Sequence, residues 1–189
     1  TLVTSLGRDT EAKIIKKTIK HENIKLHHKI QKRTKINTIL VPIDTGQREK
    51  IRGNTIHLDI KNLDRKFIRQ FDLIIIDRHE KTAFYEIMDK KKLEAKIIID
   101  PSVEISKFTL DMIRNADFPI LPIESLVKID SNDLLKSIQK LYNGKELIIT
   151  AGKLGSLIYD GKTLRHIQAY DVSVIDTVGA GDVYRGAFA

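Results

Sequence analysis

The chain has 189 residues, 41% hydrophobic and 31% charged, which is the balance of an ordinary folded domain and excludes a disordered one. It has no cysteine, so disulfides, thiolate metal sites and cysteine nucleophiles are excluded, and a reducing, cytoplasmic setting is expected. The net charge of +8 gathers at 11–35, where nine basic residues face two acidic ones; no Phe, Tyr or Trp precedes Phe67, so this stretch reads as a solvated face, without the aromatic platform a nucleic-acid surface uses.

A short apolar strand, Leu2–Leu6, opens the chain and closes at Gly7. Arg8 and Asp9 interrupt it before any signal-peptide core develops. Asp9 is an N-cap candidate for a helix with Ala12, Ile15 and Ile19 at helical spacing. After a polar break, two extended stretches at 36–43 and 51–58 flank the turn Asp44–Thr45–Gly46–Gln47, and their alternation predicts a small antiparallel sheet. From Asp72 the rhythm becomes strand–helix–strand. Leu73–Ile76, Ile97–Ile99 and Leu147–Ile149 are short, apolar and rich in β-branched residues, as strands covered on both faces should be. They are far too short to cross a bilayer. Helices are predicted at about 80–92, 106–115 and 131–142, the last ending on Asn143–Gly144. Tyr159–Asp160–Gly161–Lys162 reads as a hairpin turn, and Val174–Ile175 as a strand end. Alternating β and α elements predict an α/β fold around a mainly parallel sheet.

The chemistry concentrates in Asp176–Thr177–Val178–Gly179–Ala180–Gly181–Asp182–Val183–Tyr184–Arg185–Gly186–Ala187–Phe188–Ala189. Gly179 and Gly181 permit a close backbone approach to a ligand, and a helix beginning at Ala180 presents N–H groups and a positive dipole end to an anion. Asp182 falls in that first turn. A carboxylate beside a bound phosphate can take the proton of an attacking hydroxyl. Taken alone, the same residues also suit a glycine turn with an Asp steadying the helix start.

These fourteen residues resemble the C-terminal signature of the ribokinase/PfkB carbohydrate kinase family, DTxGAGD followed by an aromatic residue and a Gly-Ala pair. The resemblance implies a ribokinase-like three-layer sandwich with a small β-sheet lid. It implies ATP-dependent phosphorylation of a sugar hydroxyl, with Asp182 as base and the N–H groups of Gly179, Ala180 and Gly181 as an anion hole. Asp176 and Thr177 fall in the loop where many relatives bind a monovalent cation such as K⁺. Thr150–Ala151–Gly152–Lys153–Leu154–Gly155 is similar to the family's T-x-G-x-x-G segment along the nucleotide phosphates, which assigns Thr150, Gly152 and Gly155 to ATP. The opening around Leu6–Gly7–Arg8–Asp9 resembles the family's "LG-x-D" segment. Residues 1–35 and 61–189 then belong to the main α/β domain, and 36–60 to the lid, which in relatives often makes a homodimer contact. The resemblance also implies a sugar-binding Asp and Gly-Gly segment before Thr1, and a segment completing the adenine pocket after Ala189.

Three stretches modify this expectation. Where relatives carry N-x-x-E, whose Glu organises Mg²⁺ through water, this chain has Pro122–Ile123–Glu124–Ser125–Leu126, which leaves Glu124 as the substitute. Where relatives carry D-x-N-x-R, Asp100 is kept and the Arg is lost. Asp77–Arg78–His79 follows a strand at the edge where open α/β sheets bind ligands. It resembles the branch containing ketohexokinase and sulfofructose kinase, with surface decoration as the competing reading. A kinase of a nucleoside or another hydroxylated metabolite, and a non-catalytic nucleotide-binding relative, are the alternative functions.

Overall fold

The first departure from the sequence reading is the polar break near residue 25. In the computed structural model, which describes residues 1–40, 49–51, 53, 63–130 and 132–189, this break contains a strand. Strand β1 (Leu2–Leu6) leads into helix α1 (Thr10–His21), and β2 (Leu26–Ile30) returns parallel to β1, pairing Leu2 with Leu26 and Leu6 with Ile30. Leu26-His27-His28-Lys29-Ile30 is mostly solvent-facing, so it lacks the apolar run that would have marked it. Asp9 caps α1 by accepting from Ala12 N at 3.0 Å. The same carboxylate takes the Thr34 amide and the Thr34 hydroxyl at 2.6 Å each, and Thr34 Oγ1 accepts from Gly7 N at 2.9 Å. One side chain thus ties the end of β1, the start of α1 and residue 34 together. Strands β3 (Thr38–Leu40) and β4 (Glu49–Ile51) pair antiparallel, Thr38 opposite Ile51. The second strand thus begins two residues before the predicted 51–58. The turn at Asp44–Gln47 lies outside the described residues. These elements belong to one unit, 1–60.

The second unit, 61–189, is built on a six-stranded sheet. Its helices and strands follow in order: α2 (Arg65–Ile68), β5 (Leu73–Asp77), α3 (Lys81–Lys90), β6 (Lys96–Asp100), α4 (Lys107–Asn115), β7 (Phe118–Pro122), α5 (Glu124–Val127), α6 (Leu134–Leu141), β8 (Leu147–Thr150), β9 (Ser156–Tyr159), β10 (Leu164–Ile167) and α7 (Ala180–Phe188). The spatial order is β10-β9-β8-β7-β6-β5, with β5 to β8 parallel and β9 and β10 antiparallel additions. The fold is the expected α/β one. Strand β7 escaped the sequence reading because Phe118-Pro119-Ile120-Leu121-Pro122 carries two prolines, which usually disfavour a central strand. Val174–Ile175 is not a strand end: Ile175 is 99% exposed, and residues 168–178 hold no helix or strand.

Strand alternation explains how the sheet is covered. Ile98, Ile120, Ile148 and Ile158 form a buried cluster on one face, with Tyr184 of α7 packed against it. Ile97, Ile99, Leu121 and Ile149 are equally buried on the opposite face. Both faces of the central strands are therefore dry. Outside the strands, Asn143 Nδ2 donates to the carbonyls of Ile113, Arg114 and Ala116 at 2.8–3.2 Å, which closes the open end of α4.

Two turn carboxylates give the fold an acid limit. Hydrogen bonds from the Thr34 hydroxyl and amide pull Asp9 down to about 2. The Thr163 amide and hydroxyl and the Lys162 amide do the same for Asp160, also to about 2, at distances of 2.7–2.9 Å. A carboxylate whose folded value is depressed stabilises the fold above its unfolded value and loses that contribution as pH falls through the folded one. Thermal midpoints should therefore drop between about pH 4 and pH 2. The drop should be shallower in Asp9→Asn and in Asp160→Asn, and equal slopes in all three proteins would exclude these groups.

Candidate active site

The site gathers at the carboxyl ends of the parallel strands, where β5 and β6 finish side by side on Asp77 and Asp100. Asp100 lies two residues beyond Ile98, so alternation places it on the face that α7 covers. Helix α7 is fixed there by Tyr184, whose hydroxyl lies 3.1 Å from Ser156 Oγ, and by the edge-on contact of Phe188 with Phe118 at 5.3 Å between centroids. Each end carboxylate also shapes the chain after it: Asp77 Oδ1 accepts from His79 N and Asp100 Oδ1 from Ser102 N, both at 2.7 Å.

Gly179 opens α7 at φ +80°, in the left-handed region, and a Cβ there would meet nothing within 4 Å. The loop before it is framed by its own side chain: Asp176 Oδ1 accepts from Val178 N at 2.8 Å, and Thr177 O accepts from Ala180 N at 3.2 Å. Of the three amides assigned to an anion hole, Ala180's is thus already engaged within the loop. Those of Gly179 and Gly181 donate to no backbone carbonyl of the loop among the described residues. Asp182 stands in the first turn with its side chain 80% exposed, and its Oδ1 accepts from Arg185 Nη2 at 2.7 Å. The same nitrogen lies 2.7 Å from Asp100 Oδ2. Burial pushes the Asp100 carboxyl up; Arg185 and the Ser102 amide pull against it, while Asp77 and Asp182 add to the rise.

Thr150 ends β8, with its hydroxyl 3.4 Å from Leu121 O. A 3₁₀ turn follows at Gly152–Leu154. Gly152 has φ +55° and open space where a side chain would project. Gly155 differs, because a Cβ at its φ of +89° would lie 2.0 Å from Ile167 O. The sequence reasoning placed both glycines beside phosphates. For Gly155 the chain's own backbone is what forbids a side chain. Gly155→Ala is accordingly expected to destabilise the β8–β10 region severely, read as lost soluble yield or a thermal midpoint many degrees lower, whereas Gly152→Ala should cost only about 1 kcal/mol of backbone strain. Equal stability of the two variants would contradict this division.

Glu124, the first residue of α5, is exposed. Among the described residues no three His, Asp or Glu side chains converge as metal ligands. Arg78 pairs with Glu104 across the sheet edge. Sequence reasoning missed Arg185, since nothing in its spacing signals a partner on β6. No helix among the described residues is long and apolar enough to cross a membrane.

A mainly parallel sheet with buried central strands, glycine turns after its strands and an exposed carboxylate on a glycine-opened helix are features of an α/β fold, and the likeness to solved ribokinase structures makes its class ribokinase-like. Residues 1–189 match the pfkB family of carbohydrate kinases throughout, and the chain belongs to that family. It is 39% identical over 100 residues to a ribokinase of Lactococcus lactis, a match covering 52% of this chain and 32% of that protein. Among solved structures it resembles a ribokinase from Thermotoga maritima, with TM-score 0.81 and 19% identity over 98% of this chain and 65% of that one. It also resembles an adenosine kinase from Sinorhizobium meliloti, with TM-score 0.82 and 16% identity over 97% and 63%. At such identities the structural likeness speaks to the fold. The chain spans about two thirds of these solved structures.

Proposed function

We propose that this chain carries out phosphotransfer as part of a carbohydrate kinase activity that moves the γ-phosphoryl group of ATP to a sugar hydroxyl. The observation that carries the reading is Asp182, an exposed carboxylate in the first turn of a helix that Gly179 opens at the carboxyl edge of the sheet. Family membership supports it. Asp182 Oδ2 takes the proton of the acceptor hydroxyl as the hydroxyl oxygen forms its bond to the γ-phosphorus. The bond from that phosphorus to the β–γ bridging oxygen breaks, and ADP leaves. The helix end and the Gly179 and Gly181 amides stabilise the charge on the phosphoryl oxygens.

Thr150 and Gly152 lie along the nucleotide phosphates, where the open space at Gly152 suits a ligand approaching the backbone. Gly155 supports that turn from within the fold. A Mg²⁺ ion would neutralise phosphate charge, held chiefly by the phosphates and water with Glu124 as an outer contact, because among the described residues no three carboxylate or imidazole side chains converge. K⁺ near Asp176 and Thr177 would stiffen the loop before Gly179. The small sheet of β3 and β4 is the lid over the sugar and a homodimer contact. The test is ADP release by the full-length protein with ATP and a panel of pentoses, hexoses and nucleosides. Acceptor-dependent ADP release strongest with a sugar is expected. Release with nucleosides alone would move the substrate class, and no acceptor-dependent release would overturn the reading.

A further inference from the structure

We propose that Arg185 is a positioning residue for phosphotransfer: anchored on Asp100 at the end of β6, its guanidinium holds the Asp182 carboxylate in one orientation on the first turn of α7. The proposal rests on the reading of Asp182 as the base.

An exposed carboxylate on a helix samples several rotamers, and a base that must meet one incoming hydroxyl works best from one of them. The spacing of three residues puts Arg185 beside Asp182 on the helix surface. An exposed pair of that kind contributes little by itself. Here the cation is not exposed: the Arg185 side chain is 14% accessible, against 80% for Asp182. It is also held from the far side, since Nη2 lies 2.7 Å from Asp100 Oδ2 as well as 2.7 Å from Asp182 Oδ1. Asp100 is in turn fixed by the Ser102 amide on its other oxygen.

Two further features make room for the bridge. A Cβ at Gly181 would come within 3.3 Å of Arg185 Nη1, so the guanidinium folds back over the bare surface of the first turn. The neighbours Tyr184 and Phe188 are bound to Ser156 and Phe118, which fixes the helix that carries the arginine. With Oδ1 occupied, Asp182 Oδ2 is left to receive a proton. The carboxylates of Asp77, Asp100 and Asp182 meet at this edge, and Arg185 is the cation that bridges two of them.

The test compares Arg185→Gln, Arg185→Lys, Asp100→Asn, Asp182→Asn and the double variant Asp100→Asn/Arg185→Gln in the full-length protein, by steady-state kinetics and thermal unfolding. Arg185→Gln should lower kcat by about tenfold or more while KM for ATP and for the acceptor stays within about twofold, the effect of a misplaced group. Arg185→Lys keeps the charge without the planar guanidinium and should recover part of the loss. Asp100→Asn should lose less than Arg185→Gln, and the double variant should be no worse than Arg185→Gln alone, because both act through one bridge. If Arg185→Gln fails to fold, Asp100→Asn decides, since it loosens the anchor and leaves the guanidinium in place. Near-normal kcat in Arg185→Gln with Asp182→Asn inactive overturns the positioning role and leaves the base intact. So does a raised KM at unchanged kcat. Near-normal kcat in Asp182→Asn overturns the base, and the positioning role with it.

Discussion

Asp182→Asn is expected to lower kcat of the full-length protein by at least about 10²-fold, the usual contribution of a positioned general base. A sugar hydroxyl is a poor nucleophile at neutral pH, so removing its proton during attack lowers the barrier. Asparagine keeps the size of the side chain and can still accept from Arg185, so the helix start should hold its shape. It cannot take the proton. Affinities for ATP and acceptor should therefore change little, which marks an interaction made chiefly in the transition state. Measuring kcat and both KM values with the chemical step rate-limiting checks this. A variant with near-normal kcat would return Asp182 to the role of a carboxylate that steadies a helix.

Much of the fold was legible because its strands are extreme. Ile97–Ile99 and Leu147–Ile149 are dry on both faces, and that condition selects continuous β-branched runs; Leu73–Ile76 is a strand as expected but not covered on both faces, since it ends the six-stranded sheet with Ile75 48% exposed. Helix α1 was legible from its cap: Asp9 stands where the sequence placed it and accepts the Ala12 amide. The misses share a cause, which is that a strand can owe its place to its neighbours. Strand β2 is polar and borrows its register from β1, while β7 carries Pro119 and Pro122 and is held between β6, beside Phe118 and Pro119, and β8, beside Ile120 to Pro122. Val174–Ile175 failed the other way, with β-branched residues and no strand beside them.

The site divides similarly. The glycine-rich signature located the helix start and Asp182 because a tight turn and a first-turn carboxylate are local features, set by adjacent residues. Asp100 and Arg185 are 85 residues apart in sequence and only 2.7 Å apart in space, and no local pattern encodes that meeting. The two glycines after β8 looked equivalent in sequence. Only the path of Ile167 and Ala169 past Gly155 separates a glycine required by packing from one that leaves a surface open.

That separation also makes Gly179 informative. Gly179→Ala is expected to lower kcat by about 10²-fold, the scale of losing one preorganised donor, while the thermal midpoint falls by only a few degrees. No atom lies within 4 Å of the added Cβ, so nothing clashes, and the structural cost is the left-handed φ of +80°. Such strain costs roughly 1–3 kcal/mol if the backbone keeps its angle. If the loop relieves it by turning φ negative, the amides of Gly179 and Gly181 swing away from the direction in which α7 now presents them. The second response leaves the sheet, Tyr184 and Phe188 in place, so the loss should fall on the chemical step. Measuring kcat beside the unfolding midpoint decides between the two roles of this residue. A midpoint lowered by several degrees with kcat retained would make Gly179 a helix starter alone, and the amides of the first turn would have no part in stabilising the transferred phosphoryl group.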